Sequence, residues 1–363
     1  MKIGFLGGGQ LARMMILEAH RLGLEPHVFC TQRNEPAAQV TAHLTVGNLS
    51  DIKALEEFAE KMDRITFESE FVPAEVLGFL ESRFAEKIFP KPRIMKRLQN
   101  RLSQKESLAD LKIPTSPFCS VTGASNLEKI WQELEGPFVL KKNFGGYDGY
   151  GTFFARKQPD LKALQAKLQD EPAGFIAEKM ISFRREVAAI LVRNSKGRTL
   201  SLPLVETFQT QGRCDWVRGP LTHPRWPDLQ KKLFRLMKDL DYVGCLGVEM
   251  FDTGKELWVN ELAPRVHNSG HYSQDALVEN QFTLHLKAGL GESLEPVRIL
   301  CPQFVMTNLL GLSQPPQDLK GQLHLYGKTE SRPGRKMGHV NYLGPKGPAL
   351  LQQALKERKK FQP

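Results

Sequence analysis

Apolar positions along the chain repeat first with the period of a strand and then with that of a helix. "KIGFLGG" at 2–8 is a short apolar run ending in glycines. In the following "QLARMMILEAHRLG", Leu11, Met14, Met15 and Leu17 or Glu18 fall at helical spacing, and Gly23 closes the pattern. "EPHVFC" reads as a second strand, "DIKALEEFAEKM" as a second helix and "DRITFES" as a further strand. Such alternation predicts a parallel sheet covered by helices, so residues 1–97 are expected to form a Rossmann-like βαβ domain.

The pattern changes over 98–290. "MKRLQNRLSQKESLADL" and "LQKKLFRLMKDL" carry the helical period, and six strand-like runs lie among them: "PFVLKKNF", "GFIAEKMI", "EVAAILVRN", "LSLPLVET", "CLGVEMFD" and "ELWVNEL". Turns such as "NSKGR" and "DTGKE" join neighbouring runs, which predicts antiparallel hairpins and an α+β domain. Residues 291–363 hold the strands "QFVMTNLLG" and "LHLYGK", a basic loop "ESRPGRKMGHV" and a terminal helix, a small β-rich part. No repeat or low-complexity linker separates the three, so they are expected to pack closely.

Composition narrows the classes. The 363 residues suffice for two or three domains. No apolar run is long enough to span a bilayer, and the N-terminus lacks the apolar core of a signal peptide, so a cytoplasmic protein without membrane contact is expected. Cys30, Cys119, Cys214, Cys245 and Cys301 are dispersed with no C-x-x-C, which suits reduced thiols rather than a disulfide framework or a cysteine zinc site. The net charge of +10 fits a nucleic-acid binder, a basic cleft for a small polyanion, or a generally basic surface. The one dense basic run, "KERKK", has no interleaved aromatics and reads as a solvated helix face, so no nucleic-acid partner is expected.

The candidate chemistry begins at "GGGQLA", residues 7–12, which fits G-x-G-x-x-A. Dinucleotide binding calls for an acid at the end of the second strand, and "HVFCTQRN" has none there, so bound NAD is not expected. A glycine turn at a helix N-terminus still suits a phosphate. "VLKKNFGGYDGYG" sets Lys141 before a glycine-rich loop, either a phosphate cradle or a structural turn. "VEMFDTGKELWVNE" places Glu249 and Glu261 on adjacent strands, either facing one another across a cation or simply solvated. "FIAEKMISFRREVAAILV" adds Glu178, Ile181 and Glu186, an apolar slot with carboxylates that adenosine could use. "NELAPRVHNSGH", 260–271, crowds a carboxylate, a guanidinium, two imidazoles and two amides into twelve positions.

A lysine before a glycine loop, E-x-x-I with a later glutamate, and paired glutamates ending in "NE" together resemble the ATP-grasp superfamily. "GGGQLARM", "TFESE", "GGYDG", "NELAPRVHNSGH", "YGK" and "RPGRKMGH" occur in the order of the N5-carboxyaminoimidazole ribonucleotide synthetases, over essentially the whole chain. The resemblance implies an ATP-grasp fold behind a Rossmann-like domain, with a small C-terminal domain. It implies ATP and Mg²⁺ as cofactors, and bicarbonate and 5-aminoimidazole ribonucleotide (AIR) as the other substrates. Carboxyphosphate would form and pass its carboxyl group to AIR, in a homodimeric enzyme of purine biosynthesis. Carried onto this sequence, Lys105, Lys141 and Asn268 would hold the ATP phosphates, Glu178 and Ile181 the adenine, and Glu186 the ribose. Glu249 and Glu261 would bind Mg²⁺, while Arg265 and His267 face bicarbonate. Gln10, Leu11, Glu70, Tyr147, Asp148, Lys328, Arg335 and Lys336 would line the AIR site, with Asp148 near the reacting amine. His339 reads equally as a ligand or as a structural histidine.

The chain also departs from the family pattern. Tyr150 and Thr152 stand where Lys or Arg and Gln are usual, Val266 replaces a proline, and "TQGRCDWVRGPLTHP" differs from the usual stretch. A divergent ligase acting on another small acid, and a non-catalytic nucleotide-binding paralogue, are the alternatives these departures raise.

Overall fold

The computed structural model describes residues 1–363 apart from 124, 147–149, 169–170, 315 and 362–363. The N-terminal strands form a five-stranded parallel sheet in the order His43–Val46, Glu25–Cys30, Lys2–Leu6, Arg64–Phe67, Ile88–Phe89. The periodic segment after the first strand is the helix Gln10–Arg21, whose buried stripe includes Leu11, Met14 and Met15. Gly23 lies at φ +70°, the left-handed conformation that ends the helix without a Cβ clash. The helix Ala74–Phe84 and the short strands His43–Val46 and Ile88–Phe89 carry little periodic signal and escaped the sequence reading.

One predicted long helix is two. Pro92–Gln99 and Arg101–Asp110 are separated by Asn100, which is extended (φ −85°, ψ 117°) and accepts from the Ser103 N–H at 2.9 Å. Asparagine here leaves the helix and caps the next one, an option its short amide gives it over leucine or lysine. "LSLPLVET" also splits, into Thr199–Ser201 and Val205–Thr210, because Pro203 supplies no N–H to a ladder.

The small antiparallel sheet of the central region has the order Phe118–Val121, Phe175–Lys179, Phe138–Lys142, Thr152–Ala155. The larger sheet runs through Leu257–Ala263, Gly244–Asp252, Arg185–Arg193, Val205–Thr210 and Arg213–Gly219, and continues into Gln303–Leu310, Lys336–Gly344 and Gln322–Leu325. The C-terminal strands therefore extend the central sheet. The divergent stretch 210–224 includes Arg213–Gly219, the strand that makes this join, and Phe208 stacks on Trp216 across its hairpin at 5.4 Å. Val266 is fully buried in the core that joins Leu11, Met15, Val192, Phe282, Met306 and Tyr326, so all three regions share one hydrophobic interior.

One further reading needs correction. The basic loop gives way to strand at Lys336, so only its first half is irregular. In "KERKK", Lys356, Lys359 and Lys360 form the expected solvated face, while Glu357 is buried and Arg358 forms a salt bridge with Asp215 that anchors the helix end against the sheet. All five cysteines are free. Among the described residues no helix is long and apolar enough to cross a membrane.

Candidate active site

The helix Arg101–Asp110 presents Arg101, Gln104 and Lys105 on one face, as i, i+3, i+4 spacing requires. Gln104 exchanges hydrogen bonds with the Leu262 backbone, donating to its carbonyl at 2.8 Å and accepting from its N–H at 2.7 Å. This fastens the helix to the edge strand that carries Glu261. Lys105, 2% exposed, reaches Glu178 at 2.8 Å and donates to Thr115 Oγ1 at 2.7 Å. Lys141 approaches the other oxygen of Glu178 at 2.9 Å and donates to Asn260 Oδ1 at 3.1 Å. Burial by itself would raise the Glu178 carboxyl, but the Lys141 and Lys105 ammonium groups outweigh it and hold it down at about 2. Glu178 is thus the counter-ion of both candidate phosphate lysines.

Glu249 and Glu261 are register partners across the hairpin, so the spacing argument for a facing pair holds geometrically. Burial, with the Glu261 and Glu186 charges nearby, pushes Glu249 up to about 7. Such crowding of oxygen donors fits a divalent cation of the Mg²⁺ type. Glu261 is paired with Arg101 at 2.7 Å, and the same guanidinium donates to the Gly146 carbonyl at 3.1 Å. Arg101 thus ties the glycine loop to the paired carboxylates. The sequence reading missed Arg101, although its position four residues before Lys105 was a signal that it shares the lysine's helix face.

His267 Nε2 lies 3.6 Å from Glu249. Its Nδ1 accepts from the Ser269 backbone N–H at 3.3 Å, which leaves the ring proton on Nε2, facing the carboxylates. Burial and the neighbouring Arg265 and Lys336 charges keep this imidazole neutral. Arg265 makes a two-pronged pair with Glu70, its Nη2 at 2.9 Å, and donates to the Val266 carbonyl at 3.1 Å. Burial raises the Glu70 carboxyl, but Arg265 together with a backbone hydrogen bond and the Arg101 charge outweighs it, and the balance is a lowered pKa.

At the first glycine turn, a Cβ on Gly9 would stand 2.2 Å from Glu68 Oε1. Gly7, at φ +110°, approaches the same side chain. The predicted phosphate cradle is filled by the chain's own carboxyl, and Glu68 also accepts weakly from the Leu11 N–H at 3.4 Å. Gln10 and Leu11 begin the helix beside it. Glu68 went unnoticed in the sequence within "TFESE". A cavity of about 480 Å³ is lined by Glu70, Arg101, Gly146 and Glu261, with Phe71 and Phe144.

Other predicted residues stand as follows. Glu186 shares the sheet face of Glu249, and burial raises its pKa. Ile181 lies half-buried in the irregular segment after Phe175–Lys179. Asn268 is buried and trades amide hydrogen bonds with Asn308 at 3.0 and 2.7 Å, which fixes its position. Lys328 donates to the Lys336 carbonyl at 2.7 Å, and Arg335 to the Glu330 carbonyl at 2.9 Å, so the basic segment is folded on itself. His339 is fully buried, its Nδ1 2.9 Å from the Tyr326 hydroxyl, a structural placement. Tyr150 is 63% exposed, with the Lys142 ammonium 6.0 Å from its ring centre. Tyr147 and Asp148 lie outside the described residues.

A Rossmann-like domain, two further sheets and a facing carboxylate pair beside buried lysines are the architecture of an ATP-grasp ligase. Residues 106–282 match the ATP-grasp domain, 1–99 the ribonucleotide synthetase preATP-grasp domain, and 305–353 the phosphoribosylaminoimidazole carboxylase C-terminal domain. The N5-carboxyaminoimidazole ribonucleotide synthase of Synechococcus elongatus is 36% identical over 353 residues, covering 93% of this chain and 88% of that protein. The crystal structure of the Staphylococcus aureus N5-carboxyaminoimidazole synthetase with ADP superposes with a TM-score of 0.90 at 30% identity, over 98% of this chain and 96% of that one. The Aspergillus clavatus N5-carboxyaminoimidazole synthase, solved with ADP and 5-aminoimidazole ribonucleotide, gives 0.88 at 30% identity, over 99% and 98%. The chain belongs to the N5-carboxyaminoimidazole ribonucleotide synthase family.

Proposed function

We propose that this protein carboxylates the 5-amino group of AIR at the expense of ATP. A bicarbonate oxygen takes the γ-phosphoryl group, giving carboxyphosphate and ADP. The AIR amine then forms the N–C bond as the bond from the carboxyl carbon to the phosphate oxygen breaks, with phosphate leaving and one amine proton passing to Asp148. The observation that carries this reading is the facing pair Glu249 and Glu261, flanked by Arg101, Arg265 and the Nε2–H of His267.

Phosphoryl transfer spreads negative charge over several oxygens, so preorganised donors are what the step requires. Lys105 and Lys141 would exchange part of their pairing with Glu178 for the ATP phosphates. Glu178 and Ile181 would then border the adenine, and Glu186 the ribose. Glu249 and Glu261 would hold Mg²⁺, which when bound neutralises phosphate charge. His267, neutral and protonated at Nε2, donates to an oxyanion without first losing a proton, and Arg265 is oriented for the same task by Glu70. Asn268, locked by Asn308, sets the backbone that carries His267. Gln10, Leu11 and Glu70 would border AIR, Tyr147 and Asp148 are assigned to the same substrate, and Lys328, Arg335 and Lys336 would supply the cations for its 5′-phosphate. The same reading includes a homodimeric, cytoplasmic enzyme.

The test is ADP release with ATP, Mg²⁺ and bicarbonate, with and without AIR, in the wild type and in Lys328→Ala/Arg335→Ala. Release should depend on both bicarbonate and AIR. The double variant should raise the KM for AIR by roughly tenfold or more, in line with loss of two charged contacts, and leave the KM for ATP unchanged. Release without a bicarbonate requirement would assign the site to another acid, a reading that the outward-facing Tyr150 in place of a cation favours. ATP binding without any turnover would assign it to a non-catalytic paralogue.

A further inference from the structure

The N-terminal sheet carries a second cluster of ligand-type side chains, at the opposite ends of its strands from the glycine turn. Glu25 and His27 are two residues apart on one strand and so share a face, and His43 is the register partner of His27 on the edge strand. Glu25 Oε1 lies 2.7 Å from His27 Nε2 and 3.8 Å from His43 Nε2. One ligand atom from each residue lies within 4.8 Å of the others, and among the described residues no other group of three His, Cys, Asp or Glu side chains meets this condition.

We propose that Glu25, His27 and His43 form a binding site for a borderline divalent transition ion of the Zn²⁺ type. Two imidazoles and one carboxylate match the preferences of Zn²⁺, whereas Mg²⁺ prefers oxygen donors throughout. Parallel pairing fixes the strands, so bringing the three donors to about 2.0–2.2 Å from one ion requires side-chain rotation only. The two imidazoles stack at 4.3 Å with an 18° angle between planes, so His43 must turn its Nε2 toward the ion. Its side chain is 47% exposed and has room to do so. A recess of about 320 Å³, lined by Glu25, His43, His20 and Thr41, adjoins the cluster and leaves the fourth tetrahedral position to water or a small anion. The ion would pin the edge strand His43–Val46 to its neighbour. Cysteine and histidine spacing along the chain gave no sign of the site, because His43 joins Glu25 and His27 only through strand pairing.

The site is independent of the ligase reading, and the experiment keeps the two apart. The full-length protein, stripped of metal with EDTA and desalted, is titrated with ZnCl₂ by calorimetry and with CoCl₂ by visible absorption. Wild type, His43→Ala and Glu261→Gln are compared. His43→Ala should lose one equivalent of Zn²⁺, or bind it more weakly by more than the roughly 10–100-fold that loss of a supporting partner costs. It should also lose the tetrahedral Co²⁺ absorption, while Mg²⁺-dependent ADP release is unchanged. Glu261→Gln should retain that equivalent and that spectrum. Identical Zn²⁺ stoichiometry and affinity in wild type and His43→Ala would overturn the proposal, as would loss of the Co²⁺ absorption in Glu261→Gln but not in His43→Ala.

Discussion

Glu178 shows how one residue holds two others in readiness. Its carboxylate, 3% exposed, faces Lys105 and Lys141 at 2.8 and 2.9 Å, and neither charge nor geometry tolerates its removal. Leaving buried charges uncompensated is far costlier than never burying them. Glu178→Gln should therefore lower the unfolding free energy by about 3–5 kcal/mol, the range for breaking a buried pair, and should raise the KM for ATP. Urea unfolding and ADP-release kinetics check the two halves. A variant of wild-type stability would show that solvent, not Glu178, neutralises the lysines. The sequence exposed these three residues as candidates. It could not reveal that Glu178 pairs with both lysines, because the partners lie 73 and 37 positions away in the chain.

At the level of elements, the break at Asn100 governs the site. A continuous helix through 92–110 would carry Arg101, Gln104 and Lys105 on a different heading, whereas the observed turn aims all three at the strand of Glu261 and at Glu178. Asn100→Ala removes the cap to Ser103 and should cost about 1 kcal/mol, the usual loss for an N-cap. It should also slow ADP release, since Arg101 and Lys105 share the capped helix. Guanidinium unfolding and steady-state rates measure both, and Asn100→Asp, which preserves the cap, should restore stability. The periodicity of 95–111 gave no hint of this break: its apolar positions continue in helical phase across Asn100. In contrast, the facing of Glu249 and Glu261 was legible, because period-two alternation and a tight turn leave a hairpin little choice of register.

At the level of the molecule, the regions are joined through buried polar contacts as well as a shared core. His285, fully buried on the helix Gln281–Gly289, accepts from the Cys245 N–H at Nδ1 over 3.0 Å. Its Nε2 lies 2.8 Å from Thr66 Oγ1, on the N-terminal sheet. The threonine proton goes to the Phe89 carbonyl, at 2.8 Å, so the histidine proton sits on Nε2 and donates to Thr66. Burial depresses its pKa from 6.5 to about 3. The neutral ring therefore contributes stability that is fully present above pH 6.5 and is lost as pH falls toward 3, because the unfolded chain takes up the proton first. Between pH 7.5 and 5 this one group should remove about 2 kcal/mol, at 1.36 kcal/mol per pH unit below the unfolded pKa. His267, His271 and His339, likewise buried with lowered pKa values, steepen the same slope. Denaturant unfolding across that range should show the loss, and His285→Gln should show a shallower dependence. An equal slope in both would remove His285 from the account.

The sequence by itself determined the parallel N-terminal sheet, the hairpins and the facing carboxylate pair. Each of these depends on local periodicity, a turn or residues close together in the chain. Tertiary structure alone decided that Glu68 fills the first glycine turn, that Arg101 joins the glycine loop to Glu261, that Glu178 serves two lysines and that the C-terminal strands complete the central sheet. It also decided that His43 meets Glu25 and His27. These are encounters between distant segments, fixed by packing and by the pairing of buried charges, and no short-range pattern encodes them.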